Sequence, residues 1–211
     1  MGLFVFSDNT LSIGYIVEKP ATEETVSGKH FDISAFSGDA FDISIDDMEG
    51  QVFIGSTYSR AGVFSFEHPE QSDYYYSVIY PDVYIGDYQG SSEYSLFRIW
   101  IRYNAESWLF ADNAIIKCGD KRFTASDIDI STDVLDHGTV NEKLLLLVAA
   151  KDEEFMDAWV AADSVTIRLK GSKGNVDFVF PSAAKKAIDE MYQTFRPAVG
   201  DTWLRNGDYI Q

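Results

Sequence analysis

Apolar and polar residues alternate in short runs through the first part of the chain: "LSIGYIV" at 11–17, "KHFDISAF" at 29–36, "AFDISI" at 40–45, "QVFIGS" at 51–56, "GVFSF" at 62–66 and "YYYSVIY" at 74–80. A period of two, broken by Gly, Ser and Asp, predicts short antiparallel strands of a sandwich or barrel. The tetrad Phe-Asp-Ile-Ser stands at 31–34 and again at 41–44. Directly opposed residues of an antiparallel pair share a face, so parity predicts a hairpin here. A loop at Ser37, Gly38 and Asp39 would set Ile33 against Ile43 and Phe31 against Ile45 on an apolar face. Ser34 would then oppose Asp42, and Asp32 would oppose Ser44.

The second part opens with "SLFRIWIRYN" at 95–104, where Phe97, Ile99, Ile101 and Tyr103 make one face and Arg98, Trp100 and Arg102 the other. Two strands about Gly119-Asp120 are expected next, with Ile116 opposite Phe123. "VNEKLLLLVAA" at 140–150 is too continuously apolar for a half-exposed strand and reads as buried. In "SVTIRLKGSKGNVDFVF" at 164–180, a turn centred on Ser172 and Lys173 pairs Leu169 with Val176, Ile167 with Phe178 and Val165 with Phe180, while Arg168 meets Asp177. Apolar and charge pairing agree on that register.

Two segments carry helical spacing instead. "KDEEFMDAWVAAD" at 151–163 places acids at a helix N-terminus and Phe155 four residues before Trp159. "PSAAKKAIDEMYQTF" at 181–195 has Ser182 as N-cap, a stripe of Ala184, Ala187, Ile188, Met191, Tyr192 and Phe195, and Arg196-Pro197 as its end. The expected fold is α+β and β-dominated: antiparallel, β-sandwich-like sheets with two short α-helices in the C-terminal half. Its units would be an acidic, tyrosine-rich all-β part over 1–90, a β-rich part with both helices over 94–196, and a docked tail over 197–211. The connector "GDYQGSSEY" at 86–94 marks the division, and a single domain is the alternative.

Composition bounds this picture. Over 211 residues, 45% hydrophobic and 15% aromatic content is enough for a sizeable core. The longest apolar run, 144–150, is far short of the ~20 residues that span a bilayer, so no membrane span is expected. The first residues lack the basic and apolar regions of a signal peptide, which reads as cytoplasmic, or as exported with the signal absent from the sequence. A single cysteine, Cys118, excludes an internal disulfide and a cysteine metal cluster.

Charge changes the picture most. The net charge of −17 argues against nucleic acid and anionic membrane surfaces as partners. Residues 1–93 hold 16 acids against three bases, a balance of −13, while residues 94–211 hold 18 acids and 14 bases, a balance of −4. Such asymmetry implies a strongly negative face, toward which a basic protein would be steered.

Candidate chemistry is sparse. Asp32, Asp42, Asp46, Asp47 and Glu49 could ligate Ca²⁺, but Asp47 stands where an EF-hand loop needs glycine, and a solvated face guarding a β edge is the simpler reading. No other cofactor motif occurs: Walker A, the Rossmann glycines and the nucleophile elbow are absent. His30, His68 and His137 have no metal spacing, and Cys118 alternates with Ile116 on an apolar strand face, which makes it a poor nucleophile. Tyrosines are the distinctive feature, eight of twelve lying before residue 94. Tyr74, Tyr76, Tyr80, Tyr84 and Tyr88 stand among acids, a vocabulary shared by protein-recognition surfaces and sugar-binding clefts. Trp100, between Arg98 and Arg102, reads as a cation–π ladder or, preferably, as a seam between the two parts.

The expected function is therefore a non-catalytic binding module, bacterial in style, that uses an acidic, tyrosine-rich surface including Asp32, Asp42 and Trp100. One alternative is an acidic inhibitor or immunity-type protein of a basic, nucleic-acid-binding partner. The other is a carbohydrate-binding or carbohydrate-active β-sandwich protein, in which paired carboxylates ~5 to 9.5 Å apart would do the chemistry.

Overall fold

The computed structural model describes residues 30–57, 65–67, 76–88, 93–126, 129–134 and 138–204. The strand expected at 11–17, the starts of those expected at 62 and 74, and the histidines His68 and His137 lie outside the described residues. Among the described residues, eleven strands and two α-helices follow in order: β1 (Phe41–Asp46), β2 (Gln51–Ser56), β3 (Ser65–Glu67), β4 (Tyr76–Gly86), β5 (Tyr94–Ala105), β6 (Ala111–Cys118), β7 (Lys121–Ser126), β8 (Asp129–Val134), β9 (Val140–Val148), α1 (Glu153–Ala161), β10 (Val165–Gly171), β11 (Gly174–Val179) and α2 (Ser182–Ala198). One sheet runs β1-β2-β4-β5-β9-β8, with β3 also on β4; the other runs β11-β10-β6-β7. Neighbouring strands are antiparallel in both.

The large sheet is built on the alternation already visible in the sequence. Phe97, Ile99 and Ile101 of β5 sit between Val83, Pro81 and Ile79 of β4 and Val148, Leu146 and Leu144 of β9, all on one buried face. Helix α2 covers that face: the rings of Tyr192 and Phe195 lie 5.6 and 5.5 Å from Phe97. Its stripe of Ala184, Ala187, Ile188, Met191, Tyr192 and Phe195 is buried throughout. Helix α1 serves the small sheet, with Phe155 5.2 Å from Phe123 of β7 and Trp159 4.7 Å from Phe180. The ammonium of Lys185 ties the helices together, donating to Asp189 at 2.7 Å and to the Val160 carbonyl at 3.3 Å near the end of α1. Both sheets and both helices feed a single apolar cluster. After α2, Trp203 is buried and donates from its indole to the Val148 carbonyl at 3.0 Å.

Several expected registers are present. Ile116 pairs with Phe123, and Leu169, Ile167 and Arg168 pair with Val176, Phe178 and Asp177. β4 and β5 pair from Gly86 and Tyr94 back to Tyr76 and Asn104, so the strands flanking the connector at 86–94 belong to one sheet. β4 runs straight through Pro81: among the described residues, β2 and β3 occupy different stretches of its edge and leave residues 79–81 between them, where a missing N–H removes no described ladder bond.

Three expectations are corrected. The first Phe-Asp-Ile-Ser is no strand: Ile33–Phe36 is a 3-10 turn, and Asp32 accepts from the Ser34 backbone at 3.1 Å and its hydroxyl at 2.6 Å. An Asp two residues before a Ser closes its own turn more cheaply than a strand would. The second copy pairs forward instead, setting Ile43 against Ile54 and Ile45 against Val52. Asp46 builds that hairpin by accepting from Met48 and Glu49, and Gly50 supplies the left-handed φ of +63°. Lastly, α2 starts with Pro181 rather than Ser182 at its N-cap and carries Pro197 in its last turn, one residue before its end.

One buried charge joins the two sheets. Glu142 lies on the apolar face of β9 with no exposure, and its carboxylate accepts three successive backbone N–H groups, from Leu109 at 2.6 Å, Phe110 at 2.9 Å and Ala111 at 2.8 Å. A left-handed residue between right-handed ones lets consecutive amides converge, and Phe110 turns so at φ +52°. The β10–β11 turn then seals the segment, Lys173 and Ser172 donating to the carbonyls of Leu109 and Phe110. Gly171 allows that approach, since an added Cβ would run into both carbonyl oxygens. Replacing Glu142 by Gln turns an amide donor toward these N–H groups. Urea denaturation of Glu142→Gln should show a loss of roughly 2–4 kcal/mol, and an unchanged midpoint would remove the carboxylate from this role.

Candidate functional site

The outer face of the large sheet gathers most of the expected binding residues. On it, the register aligns Ser44, Phe53, Tyr84 and Leu96 in one row, Asp42, Gly55, Asp82, Arg98 and Leu147 in the next, and Tyr80, Trp100 and Leu145 in a third. Arg98 organises these rows. Its guanidinium donates to both oxygens of Asp82 at 2.6 and 2.8 Å, and the Trp100 indole donates to the same carboxylate at 3.0 Å. With its charge fixed there, Arg98 lies 5.2 Å from the Tyr84 ring centre, 5.6 Å from Phe53 and 5.7 Å from Trp100. Tyr80 stacks on Trp100 at 6.3 Å with planes 19° apart, and Phe53 and Tyr94 flank Tyr84 at 5.2 and 5.9 Å. The Tyr94 ring covers Gly86, where a Cβ would collide with it.

This is a packed, half-exposed aromatic platform. Burial raises the phenol pKa of Tyr80 and of Tyr84, the latter helped by its hydrogen bond to Tyr94, so both stay neutral donors in the physiological range. Trp100 is thus the rung of a cation–π ladder on the outer face. Its Asp82 contact also crosses from the acidic first part of the chain to the more balanced second.

The remaining residues are scattered. Asp42 shares the outer face, with β2 and β4 between it and Arg98. Asp32 stands apart, on a turn whose backbone donates to the Ala198 carbonyl at the end of α2. Tyr88 follows β4 and donates from its backbone to Gly50. Tyr76 begins β4 opposite Asn104, and Tyr74 lies outside the described residues. Phe53, Asp82 and Tyr94 are members that sequence reading did not single out. Extending the alternation of Tyr80 past Pro81 to Asp82 and Tyr84 would have found one member of each row.

Other chemistry is limited. Burial pushes the Cys118 thiol up to about 11, so it stays protonated at neutral pH. Among the described residues, no three His, Cys, Asp or Glu side chains are grouped to hold a metal ion. A shallow groove of about 560 Å³ lies at the segment that Glu142 anchors, lined by Glu106, Trp108, Phe110, Val134, Val140 and Lys173 among others. Trp108 and Phe110 stack there at 5.7 Å with planes 20° apart, and Phe110 is 46% exposed.

Comparison with protein-family models, with curated proteins and with solved structures finds no match to this chain.

If Arg98 and Asp82 act as one unit, Asp82→Asn and Arg98→Lys should each lower stability by about 1–3 kcal/mol. The double variant should lose clearly less than the two losses added together in a double-mutant cycle. Strict additivity would show that the platform is not organised by this pair.

Proposed function

We propose that this chain is a non-catalytic interaction module that presents an acidic, aromatic β surface to a basic protein. The outer face of the large sheet carries the proposal, with Phe53, Tyr80, Tyr84 and Trp100 held around Arg98–Asp82. Rings already fixed in place contribute contact area at little entropic cost on binding. Asp46, Asp47 and Glu49 lie exposed at the rim, where negative charge speeds encounter with a cationic surface. An inhibitor of a nucleic-acid-binding protein is the narrower form of this proposal, and would show as one stoichiometric partner that loses activity on addition of the chain.

The test is capture from a lysate of the source cells at low and high salt, with three baits: wild type, Phe53→Ala, and the triple variant Asp46→Asn, Asp47→Asn, Glu49→Gln. A basic protein should be retained by wild type at low salt, released at about 0.5 M salt, and recovered at least several-fold less by either variant. Retention indifferent to salt and to both variants would sink the proposal.

A second reading, carbohydrate binding, draws on the groove beside Trp108 and Phe110. Stacked rings held on a left-handed backbone next to Lys173 and Glu106 combine an apolar platform with polar groups, as sugar rings require. A glycan array should then give hits that Trp108→Ala abolishes and Phe53→Ala leaves intact, whereas a blank array would leave the groove without this role.

A further inference from the structure

We propose that the groove between α1 and α2 binds a small primary amine carried on an apolar body, its ammonium held by Asp157, Tyr192 and the Gln193 carbonyl. The groove, about 460 Å³, is lined by these three residues together with Val160, Ala161, Arg196 and Pro197. That is room for a small molecule rather than a chain. Tyr192 supplies the first free acceptor. Its side chain is 4% exposed and packs against Phe97 at 5.6 Å and Trp203 at 6.3 Å, yet its hydroxyl has no hydrogen-bond partner among the described residues. A buried hydroxyl left unpaired costs stability, and phenylalanine would pack the same rings without it.

Pro197 opens the second. It stands in the last turn of α2 and brings no N–H to the Gln193 carbonyl one turn back, which leaves that oxygen without its helical donor. Asp157 is the third. Glu153 and Asp157 recur at helical spacing on α1, as Tyr192 and Arg196 do on α2. Arg196 is already engaged: it donates to Glu153 at 2.5 Å, and its guanidinium lies 5.5 Å from the Trp203 ring centre. Asp157 is exposed and takes part in no ion pair among the described residues. Burial first, then the charges of Asp157 and Glu153, push the Tyr192 phenol up to about 12, against a smaller opposing pull from Arg196. The phenol oxygen thus sits in a net negative field, which repels a carboxylate ligand and favours a cation. An ammonium brings three N–H donors to the Asp157 carboxylate, the phenol oxygen and the Gln193 carbonyl. Val160, Ala161 and Pro197 are left to cover its hydrocarbon.

The probe is 2-phenylethylamine, titrated into the full chain and followed by amide NMR shifts, with 2-phenylethanol and 3-phenylpropionate as neutral and anionic counterparts. The amine should move the amides of Asp157, Val160, Ala161, Gln193 and Arg196, and should bind at least ~10-fold tighter than either counterpart. Asp157→Asn, at an exposed position, and Tyr192→Phe should each weaken the amine by at least ~5-fold. Thermal melts separate this from a loss of fold: with its hydroxyl unpaired in the free protein, Tyr192→Phe should melt at or above the wild-type temperature. Asp157→Asn carries the test if Tyr192→Phe does not fold. Phe53→Ala, on the face of the large sheet away from α2, should bind the amine as wild type does, so the amine site and the basic-protein reading fail separately. Equal binding of the alcohol, binding that survives either folded variant, or no shift at these amides in ~10 mM amine would each overturn the proposal.

Discussion

The Glu142 carboxylate is the interaction on which the two sheets depend. It occupies a position of β9 that parity assigns to Val140, Leu144 and Leu146, where an unpaired charge would cost several kcal/mol. Three amides of the segment between β5 and β6 offset that cost, at the point where the chain leaves the large sheet for the small one. The left-handed Phe110, the bare Cα of Gly171 and the turn bonds from Ser172 and Lys173 are consequences of bringing those amides together. Remove the charge, and the geometry that presents Trp108 and Phe110 to the groove loses its reason.

The same four residues fold two ways in this chain because their flanks compete differently for the backbone. At Asp32 the following Ser34 completes a local turn, and the backbone N–H of Asp32 goes to the end of α2. At Asp42 the turn-forming role passes downstream to Asp46, whose carboxylate gathers Met48 and Glu49 and leaves the tetrad free to pair with β2. Parity arguments decide which residues share a face once two segments pair. They are silent on which segments do so.

That distinction explains what was legible. The β10–β11 register was, because apolar and charged pairs had to agree across a short turn; so were the faces of β5 and the stripe of α2. The site was half legible. Trp100, Tyr80 and Tyr84 carry the compositional signal, but their grouping depends on β4 crossing Pro81, and that depends on where β2 and β3 sit along its edge. Glu142 left one clue in the sequence, an acid on the apolar parity of "VNEKLLLLV", which required a buried partner without saying which backbone would supply it.

Charge carries the last step. The acids of the first part are not equivalent, although their sum of −13 treats them so. Asp82 is consumed internally, fixing Arg98 beneath a set of rings, and Glu93 is buried in accepting from the Phe31 backbone at 2.7 Å. Around β1 the balance differs: residues 30–57 contain six acids and no Lys or Arg, and the neighbouring strand is neutral. Like charges held together raise the energy of the folded chain and are tolerated at an edge, where water screens them.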